Sequence, residues 1–458
     1  MDQPLVVVAN RLPVRREEDG SWAPSPGGLV TALTPILERG GTWIGWAGVG
    51  SGPAETFRVN NINHVAVSVS DVEIDDYYLG FCNGTLWPLF HDGIRTPEYH
   101  RRWWNAYRRV NQRYAEAVLE HSNPGDLIWV HDYHLLLLPQ MLREASPDIE
   151  IRFFLHIPFP PVELYARLPW RRQLIEGMLA SDVVGFQTES STANFRRAAS
   201  VFAGAEVQDR LVRMGGRSIK TMAAPISVDF DSYNDVAATP LIDERVSSIR
   251  DELGNPEHIF LGADRLDYTK GIDVRLRAFA TLLRQNPQLA DSSKLVQIVV
   301  PSRQTIGEYS DMRDEIERLA GRINSVHGER HRMPVHYTYE SLEREELVAY
   351  YRAADVMVVT PLIDGMNLVA KEYVASRVDE DGVLLLSEFA GAAHELSAAV
   401  LVNPYDIDGV ALAMRQAIEL EPAERLHRMR EMRNTVREND LEAWTRRILD
   451  PDLATISA

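Results

Sequence analysis

The sequence is poor in the residues that build disulfides and metal sites. Cys82 is its single cysteine among 458 residues. One cysteine cannot form a disulfide within the chain, and it excludes zinc sites built from several cysteines. The 13 histidines show no HExxH or other metal-ligand spacing, so the sequence predicts no metal site. The first residues show no basic segment followed by a cleavage site, and we therefore expect a cytoplasmic protein.

Positive charge and long apolar runs are also scarce. Lysine and arginine number 48 against 66 aspartates and glutamates, which gives a formal net charge of −18. Nucleic acids and anionic membranes would repel such a chain, so neither is expected as a partner. No apolar run approaches the length that crosses a bilayer. Phosphorylated metabolites stay open as ligands wherever basic residues gather locally.

The chain is long enough for two domains, and its patterning predicts the α/β class. Apolar β-branched runs alternate with longer amphipathic stretches, which is typical of parallel sheets covered by helices. Where this pattern breaks, near residues 225–234, we place a boundary between domains 1–228 and 229–439, and we expect the tail 440–458 to pack back on the first domain. The predicted strands are 5–9, 42–46, 127–130, 153–156, 182–187, 259–263, 295–300, 335–337, 356–359 and 383–386.

The segment TPLIDGMNLVAKE, residues 360–372, concentrates the features of a ligand-binding loop. It follows a short apolar strand and leads into a helix. Gly365 permits a sharp turn and a close approach of the backbone to a ligand. The backbone N–H groups of Met366, Asn367 and Leu368 then lie at a helix N-terminus, where they favour an anion or sugar hydroxyls.

Two acidic residues of this segment could hold different parts of one ligand. Asp364 stays on the loop, whereas Glu372 lies about two turns into the helix. The structural alternative is that Asp364 only caps the helix and that Glu372 pairs with Lys371 or faces solvent. The sequence leaves both interpretations open.

Basic residues follow several predicted strands despite the acidic average. Arg265 and Lys270 lie on one loop before a helix, where fixed positive charge suits a diphosphate. Arg303 and Arg11 follow two other strands. A Gly-Gly pair ending at Gly28 also precedes a helix, as in phosphate sites, but a plain strand-to-helix turn is the better explanation of an isolated pair.

Polar and aromatic side chains gather in the first half of the chain. One predicted strand is followed by His131, Asp132 and His134, and another ends in His156. Ligands of open α/β sheets bind at this carboxyl edge of the strands. The segments DDYY (75–78) and NGTLWPLFH (83–91) carry aromatic rings outside any clear helix. Such rings can cover the apolar face of a sugar, and core packing is the alternative.

Taken together, these stretches resemble the trehalose-6-phosphate synthases, retaining glycosyltransferases of the family 20 type. The resemblance runs from Asn10 to about Asp406. It implies a GT-B architecture of two Rossmann-like domains facing each other across a catalytic cleft, with no cofactor and no metal. The substrates it implies are a nucleoside diphosphate glucose and glucose 6-phosphate, and it leaves a homo-oligomer open. The matching motifs are ANR, GGL, GGTWIGW, DDYY, LWPLFH, WVHDYHLLLLP, FFLHIPFP, GFQTE, RLDYTKG, RINSVHG, TPLIDGMNLVAKEYVA and SEFAGAAHEL.

The resemblance also implies roles for individual residues. The diphosphate would be held by Arg265 and Lys270, the ribose by Glu372, and the donor glucose by Asp364 and His156. The implied donor contacts are Gly28, His156, Arg265, Lys270, Glu340, Leu342, Asp364, Gly365, Met366, Asn367, Leu368 and Glu372. The implied acceptor contacts are Arg11, Trp43, Tyr78, Trp87, Asp132 and Arg303, of which the two arginines would grip the 6-phosphate. The implied catalytic residues are Asp132, His156, Arg265, Lys270 and Asp364.

The family is thought to retain configuration without a protein nucleophile, the leaving diphosphate and the incoming hydroxyl lying on one face of the glucose. A double displacement would need a carboxylate below the anomeric carbon, for which Asp132 or Asp364 would serve. A related pseudo-glycosyltransferase that couples cyclitols and a non-catalytic sugar-phosphate sensor are the rival functions, and the intact motif residues argue against both. A nicotinamide dehydrogenase lacks support because no GxGxxG follows the first strand.

The sequence leaves the donor base open. The loop after strand 335–337 reads TYESL, and a carboxylate at Glu340 could accept two hydrogen bonds from guanine, whereas uracil offers only one N–H. We therefore expect GDP-glucose to be at least as good a candidate as UDP-glucose. Exposure of Glu340 to solvent is the alternative.

Overall fold

The computed structural model describes residues 4–16, 22–24, 28–38, 40–48, 50, 55–301, 307–328 and 332–450. The chain divides into two compact units, one reaching Pro225 and resuming at Thr445, the other spanning Ile226–Trp444. Each unit holds its own largely parallel sheet with helices, which confirms the predicted α/β class. The domain boundaries given above stay a prediction. Across the described ranges, no helix is both long enough and apolar enough to span a bilayer.

The first unit is built on a sheet whose described strands run in the order β10-β11-β12-β9-β8-β7-β1-β4-β6-β5. Its middle strands are parallel, and their residues are mostly buried and apolar, as expected where both faces are covered. The unit also contains the small hairpin β2–β3. Its strands are β1 (Leu5–Arg11), β2 (Val14–Arg16), β3 (Trp22–Pro24), β4 (Thr42–Trp46), β5 (Glu55–Val59), β6 (Ile62–Ala66), β7 (Leu127–His131), β8 (Glu150–Leu155), β9 (Val183–Phe186), β10 (Glu206–Gln208), β11 (Leu211–Met214) and β12 (Arg217–Ala223).

The helices of this unit connect and cover the parallel strands. They are α1 (Gly28–Leu37), α2 (Asp71–Glu73), α3 (Trp87–Phe90), α4 (Arg101–His121), α5 (Leu138–Ala145), α6 (Val162–Tyr165), α7 (Arg171–Leu179) and α8 (Glu189–Ala203), together with a π-helix (Ile74–Leu86) and a 3₁₀ turn (Tyr133–Leu135).

The aromatic segment corrects one prediction, because it is helical. Residues 75–78 and 83–90, which we placed outside a clear helix, lie in the π-helix and in α3. A Cβ atom on Gly80 would lie 2.6 Å from the ring of Trp103, so only glycine lets α4 pack this closely on the π-helix. Glycines weaken the sequence signal for a helix, and here they are required by the packing of another helix. The hairpin β5–β6 was also missed. Its turn residues Asn60 and Asn61 both have positive φ, which asparagine adopts more readily than most residues, so the Asn-Asn pair was the signal in the sequence.

The second unit is built on a sheet whose described strands run β15-β14-β13-β16-β17-β18, all parallel. A buried apolar cluster that includes Phe260, Phe279 and Ile316 fills the space between sheet and helices. The strands are β13 (His258–Arg265), β14 (Ser293–Val300), β15 (Val335–Tyr339), β16 (Val356–Val359), β17 (Val383–Ser387) and β18 (Val400–Val402).

Its helices are α9 (Phe230–Ala237), α10 (Pro240–Glu252), α11 (Ile272–Gln285), α12 (Leu289–Ser292), α13 (Gly307–His327), α14 (Arg344–Ala353), α15 (Leu368–Ser376), α16 (Ile407–Glu419), α17 (Pro422–Glu438) and the start of α18 (Leu441–Leu449), with 3₁₀ turns at Tyr268–Lys270 and Gly391–His394. The end of α18 belongs to the first unit, where Ile448 lies so close to β9 that a Cβ atom on Gly185 would be 2.8 Å from its Cδ1 atom.

Parallel pairing brings the functional candidates of each unit to one sheet edge. In the first unit β1 pairs with β7, and β7 pairs with β8, so Arg11, His131 and the residues after Leu155 share an edge. In the second unit β13 pairs with β14 and β16, which brings Arg265 and the loop after Val359 to one edge. The sequence predicted both groupings from the position of polar residues after strands.

Candidate functional site

Arg11 projects from the end of β1 against two aromatic rings. Its guanidinium carbon lies 3.9 Å from the ring centroid of Trp46 and 5.3 Å from that of Tyr78. A Cβ atom on Gly48 would lie 2.1 Å from Arg11 Nη1, so glycine there leaves room for the guanidinium. Cation–π contact orients this arginine while its side chain stays exposed, an arrangement suited to binding an anion. Trp46 was not among the predicted site residues, although it ends the GGTWIGW motif.

Two of the predicted acceptor residues are buried. Trp43 is fully buried, and its indole N–H donates to the carbonyl of Arg11 at 3.0 Å. Trp87 is also buried, with its ring centroid 4.1 Å from that of His91. In this structure Trp43 therefore supports the backbone that carries Arg11, and the acceptor contacts of both tryptophans stay a prediction. Tyr78 is half-buried and stacks on His134 with ring centroids 6.0 Å apart.

Asp132 has a backbone conformation that residues other than glycine rarely adopt. Its φ is 75° and its ψ is 171°. The Asp132 N–H donates to the carbonyl of Phe154 at 2.8 Å, and its Oδ1 atom accepts from the backbone N–H of His156 at 3.2 Å. Such a conformation persists only where surrounding contacts hold it, and it is concentrated at functional sites. The structure thus brings Asp132 and His156, two predicted catalytic residues, into direct contact.

His156 lies in a short row of buried polar groups. Its Nε2 atom is 3.1 Å from Nδ1 of His131, and its Nδ1 atom is 3.5 Å from Nε2 of Gln187. Burial lowers the pKa of His156 to about 3, and burial together with the nearby His156 lowers the pKa of His131 well below its usual value. Both rings are therefore neutral at pH 7. The sequence showed these two histidines at strand ends, but it gave no sign that they touch.

In the second unit Lys270 meets the segment 360–372. Lys270 Nζ lies 2.5 Å from Asp364 Oδ2, and both side chains are 13% exposed. Asn367 donates from Nδ2 to the same Asp364 oxygen at 3.1 Å, and its Oδ1 atom accepts from the N–H of Ala370 at 3.1 Å. The cap of α15 is therefore Asn367, which removes the alternative that Asp364 only caps the helix.

Close backbone packing shapes this segment. The N–H of Leu362 donates to the carbonyl of Thr269 at 2.7 Å, and a Cβ atom on Gly271 would lie 2.0 Å from the carbonyl oxygen of Thr360. Gly271 also has a φ of 60°, so glycine is required there for two reasons. A Cβ atom on Gly391 would lie 1.9 Å from the carbonyl oxygen of Gly365. The start of α15 is thus fixed beside Lys270, with the backbone of Met366, Asn367 and Leu368 at the helix N-terminus.

Glu372 is held by tyrosines and not by its neighbour in sequence. Tyr351 donates to Glu372 Oε2 at 2.8 Å, and burial raises the pKa of Glu372 although hydrogen bonds from Tyr351 and Tyr233 oppose the shift. Lys371 turns away, because its Nζ atom binds Glu395 Oε2 at 2.6 Å and the Ile226 carbonyl at 2.8 Å. The alternative pairing of Glu372 with Lys371 is therefore wrong.

The remaining candidates lie as follows. Arg265 is exposed at the end of β13, near the 3₁₀ turn that carries Lys270. Glu340 is exposed directly after β15, and Leu342 is half-buried. Gly28 begins α1, whereas Arg303 lies outside the described residues. Among the residues that are described, no group of three or more histidines, cysteines or carboxylates is arranged to hold a metal ion.

Comparison with known proteins identifies the chain's family. The profile of glycosyltransferase family 20 matches residues 3–452. A trehalose-6-phosphate synthase of Mycolicibacterium smegmatis is 48% identical over 465 residues, covering 98% of this chain and 92% of that protein. A trehalose-6-phosphate synthase of Mycobacterium sp. (strain JLS) is 47% identical over 471 residues, covering 100% and 98%.

Solved structures of trehalose-6-phosphate synthases also superpose closely on this chain. A UDP-forming alpha,alpha-trehalose-phosphate synthase of Burkholderia xenovorans in complex with glucose-6-phosphate superposes with a TM-score of 0.91 at 35% identity, covering 98% of this chain and 99% of that one. The structure named "Trehalose-6-phosphate from E. coli bound with UDP-2-fluoro glucose" gives a TM-score of 0.91 at 36% identity, covering 98% of each chain. These matches confirm the predicted GT-B architecture. Since the family profile spans nearly the whole sequence, the chain belongs to glycosyltransferase family 20.

Proposed function

We propose that this chain transfers glucose from a nucleoside diphosphate glucose to glucose 6-phosphate and forms α,α-trehalose 6-phosphate. The observation that carries the proposal is the meeting of Lys270, Asp364 and the N-terminus of α15 in the second unit. An ammonium group and helix N–H groups suit a diphosphate, and a nearby carboxylate suits sugar hydroxyls. Two relatives, 48% and 47% identical to this chain, are named trehalose-6-phosphate synthases.

On the acceptor side, Arg11 supplies the cation for the 6-phosphate, together with Arg303. Arg11 is exposed, and two rings orient it from the side. Arginine is suited to bidentate phosphate binding, and the flanking Trp46 and Tyr78 provide an apolar surface for the sugar. Asp132 contributes an acceptor for sugar hydroxyls at the same sheet edge. The Burkholderia relative is described in complex with glucose-6-phosphate, which supports this choice of acceptor.

The proposed chemistry is the same-face displacement that the family resemblance implies. The bond between the anomeric carbon and the diphosphate oxygen breaks, the acceptor hydroxyl forms the new bond on the same face, and its proton passes to the departing diphosphate. Arg265, Lys270 and the helix N–H groups stabilise the charge that develops on the leaving group. No protein nucleophile and no metal takes part. Full activity in excess EDTA is expected, and a loss that magnesium restores would overturn the metal-independent mechanism.

The donor is UDP-glucose. Glu340 is exposed, so water solvates its carboxylate, and it cannot discriminate between bases as a buried carboxylate would. The Burkholderia relative is named as UDP-forming. We therefore favour uridine over the guanosine donor that the sequence kept open. The test is a comparison of kcat/KM for UDP-, GDP- and ADP-glucose. A clear preference for GDP-glucose that Glu340→Ala abolishes would show that the donor base is guanine and that Glu340 selects it.

A matched pair of variants tests the diphosphate role. Arg265→Ala should lower kcat on the order of a hundredfold with little change in Tm, because the side chain is exposed. Arg318→Ala removes an exposed arginine from α13 and should change neither quantity. An Arg265→Ala enzyme with kcat near that of the wild type would exclude Arg265 from catalysis.

A cytoplasmic location and a homo-oligomeric state stay predictions.

A further inference from the structure

His131 has no role in the mechanism above, yet it is completely buried at the sheet edge that carries Asp132 and His156. Its Nδ1 atom lies 3.1 Å from Nε2 of His156. Its own Nε2 atom is buried and has no hydrogen-bond partner in the described part of the chain. A buried polar nitrogen without a partner costs stability, and a leucine of similar volume would avoid that cost. The histidine therefore needs an explanation beyond core packing.

The contacts around His156 define which of its nitrogens carries the proton. Gln187 directs its amide Nε2, a donor, toward His156 Nδ1 at 3.5 Å, so Nδ1 is an acceptor. A neutral imidazole carries one proton, which must then lie on Nε2 and be donated to Nδ1 of His131. The proton of His131 accordingly lies on its own Nε2 atom. The backbone of His156 is fixed as well, since its N–H donates to Asp132 Oδ1 at 3.2 Å.

We infer that His131 is a positioning residue for the transferase reaction: it accepts a hydrogen bond from His156 Nε2 and so keeps His156 Nδ1 unprotonated. The one lone pair of Nδ1 accepts from Gln187 at 3.5 Å in this structure, and a hydroxyl of the donor glucose would displace that contact and donate to Nδ1 in its place. Without His131, the ring of His156 could rotate or adopt the other tautomer, and Nδ1 would then offer an N–H in place of a lone pair. This inference rests on the proposed function, because the donor glucose is the ligand that His156 would bind.

Two variants of His131 distinguish a hydrogen-bonding role of this side chain from a packing role. His131→Leu keeps the volume and removes the acceptor, so we expect kcat with UDP-glucose to fall about tenfold to a hundredfold, with the KM for glucose 6-phosphate unchanged. His131→Asn places an amide oxygen, which is an acceptor, close to the position of the lost Nδ1 atom, and this variant should recover much of the rate. Tm should rise or stay unchanged in His131→Leu, since a buried polar nitrogen is lost.

The control is His64→Leu. His64 is likewise buried in the first unit, neither of its ring nitrogens has a partner in the described part of the chain, and it lies outside the site. Its replacement should leave kcat unchanged. If His131→Leu also keeps the full kcat, the inference is overturned. If the wild-type protein itself lacks transferase activity with UDP-, GDP- and ADP-glucose, the proposed function is wrong. That result differs from an active wild type whose His131→Leu variant keeps the full kcat, which contradicts only the role of His131.

A spectroscopic measurement tests the tautomer independently of activity. In protein labelled with ¹⁵N-histidine, long-range ¹H–¹⁵N spectra at pH 7 report which ring nitrogens are protonated, and His156→Gln assigns the signals. We expect His156 to be protonated at Nε2 alone, and we expect His131→Leu to introduce exchange or a signal of the Nδ1-protonated form. A wild-type His156 that is protonated at Nδ1 would overturn the inference.

Discussion

The backbone of Asp132 predicts that replacement by glycine destabilises the protein less than replacement by alanine, the reverse of the usual order. Its φ of 75° and ψ of 171° fall in a region that is essentially restricted to glycine. A residue with a side chain held there costs about 1–3 kcal/mol. Both Asp132→Ala and Asp132→Gly lose the carboxylate that accepts from the N–H of His156. Only the glycine variant also relieves the backbone.

The size of the difference follows from two opposing contributions. Relief of the backbone favours glycine by about 1–3 kcal/mol, and the greater freedom of glycine in the unfolded chain disfavours it by roughly 0.5–1 kcal/mol. The net difference is on the order of 1 kcal/mol in favour of glycine over alanine. A change of that size shifts Tm by about 2–4 °C in a domain of 150–250 residues.

Scanning fluorimetry of four variants measures this difference. Asp132→Gly should melt above Asp132→Ala, whereas at Asn105, an exposed position inside α4, the alanine variant should melt above the glycine variant. Both Asp132 variants should lose most of their transferase activity, because the carboxylate is absent. If Asp132→Ala melts at or above Asp132→Gly, the backbone of Asp132 is not strained, and strain gives no support to a functional role for this residue.

Three further outcomes are expected from the charged and titratable groups. Lys270→Ala should lower kcat about a hundredfold and also lower Tm, because Asp364 loses the cation 2.5 Å away, and Lys270→Ala with an unchanged Tm would contradict that pairing. Lys371→Met should destabilise the fold by about 3–5 kcal/mol in urea unfolding, since Lys371 is 1% exposed and Glu395 is left without its partner; the double variant with Glu395→Leu should recover part of that loss, and no recovery would show that the pair is not coupled. Stability should fall as pH drops below about 6.5, because the unfolded chain takes up a proton at His156 while the folded protein, with a pKa of about 3 there, does not. His156 alone contributes a slope that approaches about 1.4 kcal/mol per pH unit, or a loss of roughly 2 kcal/mol at pH 5, and His156→Gln with an undiminished slope would exclude this contribution.

The parallel sheets of both units could be predicted because their signal is local. Runs such as residues 5–9 and 356–359 are apolar, short and β-branched, and the observed strands Leu5–Arg11 and Val356–Val359 contain them. Their ends could be read from the polar residues that follow, which placed Arg11 and His156 at one edge and Arg265 at another. The motif resemblance then selected one family from the many that share this fold class.

The aromatic segment and the histidine row could not be predicted, because what determines them lies far away in sequence. Gly80 lowers the helix propensity of the π-helix, and only its packing against Trp103, on another helix, explains why glycine is there. His131 and His156 are 25 residues apart, and their contact depends on the parallel register of β7 and β8. A periodic pattern reports which face of a strand is buried, but it does not report which strand-end side chains meet.

Asp132 and Asn367 show how this protein fixes the candidate site residues of each unit. Each has positive φ, at 75° and 83°, and each follows a strand and precedes a helical turn. Glycine would suit either backbone better, but glycine has no side chain to bond with. Asp132 Oδ1 holds the backbone of His156, while Asn367 caps α15 and donates to Asp364. At both positions the positive-φ conformation directs a polar side chain toward a neighbouring candidate site residue, so the geometry of the proposed sugar site depends on side-chain hydrogen bonds that glycine would eliminate.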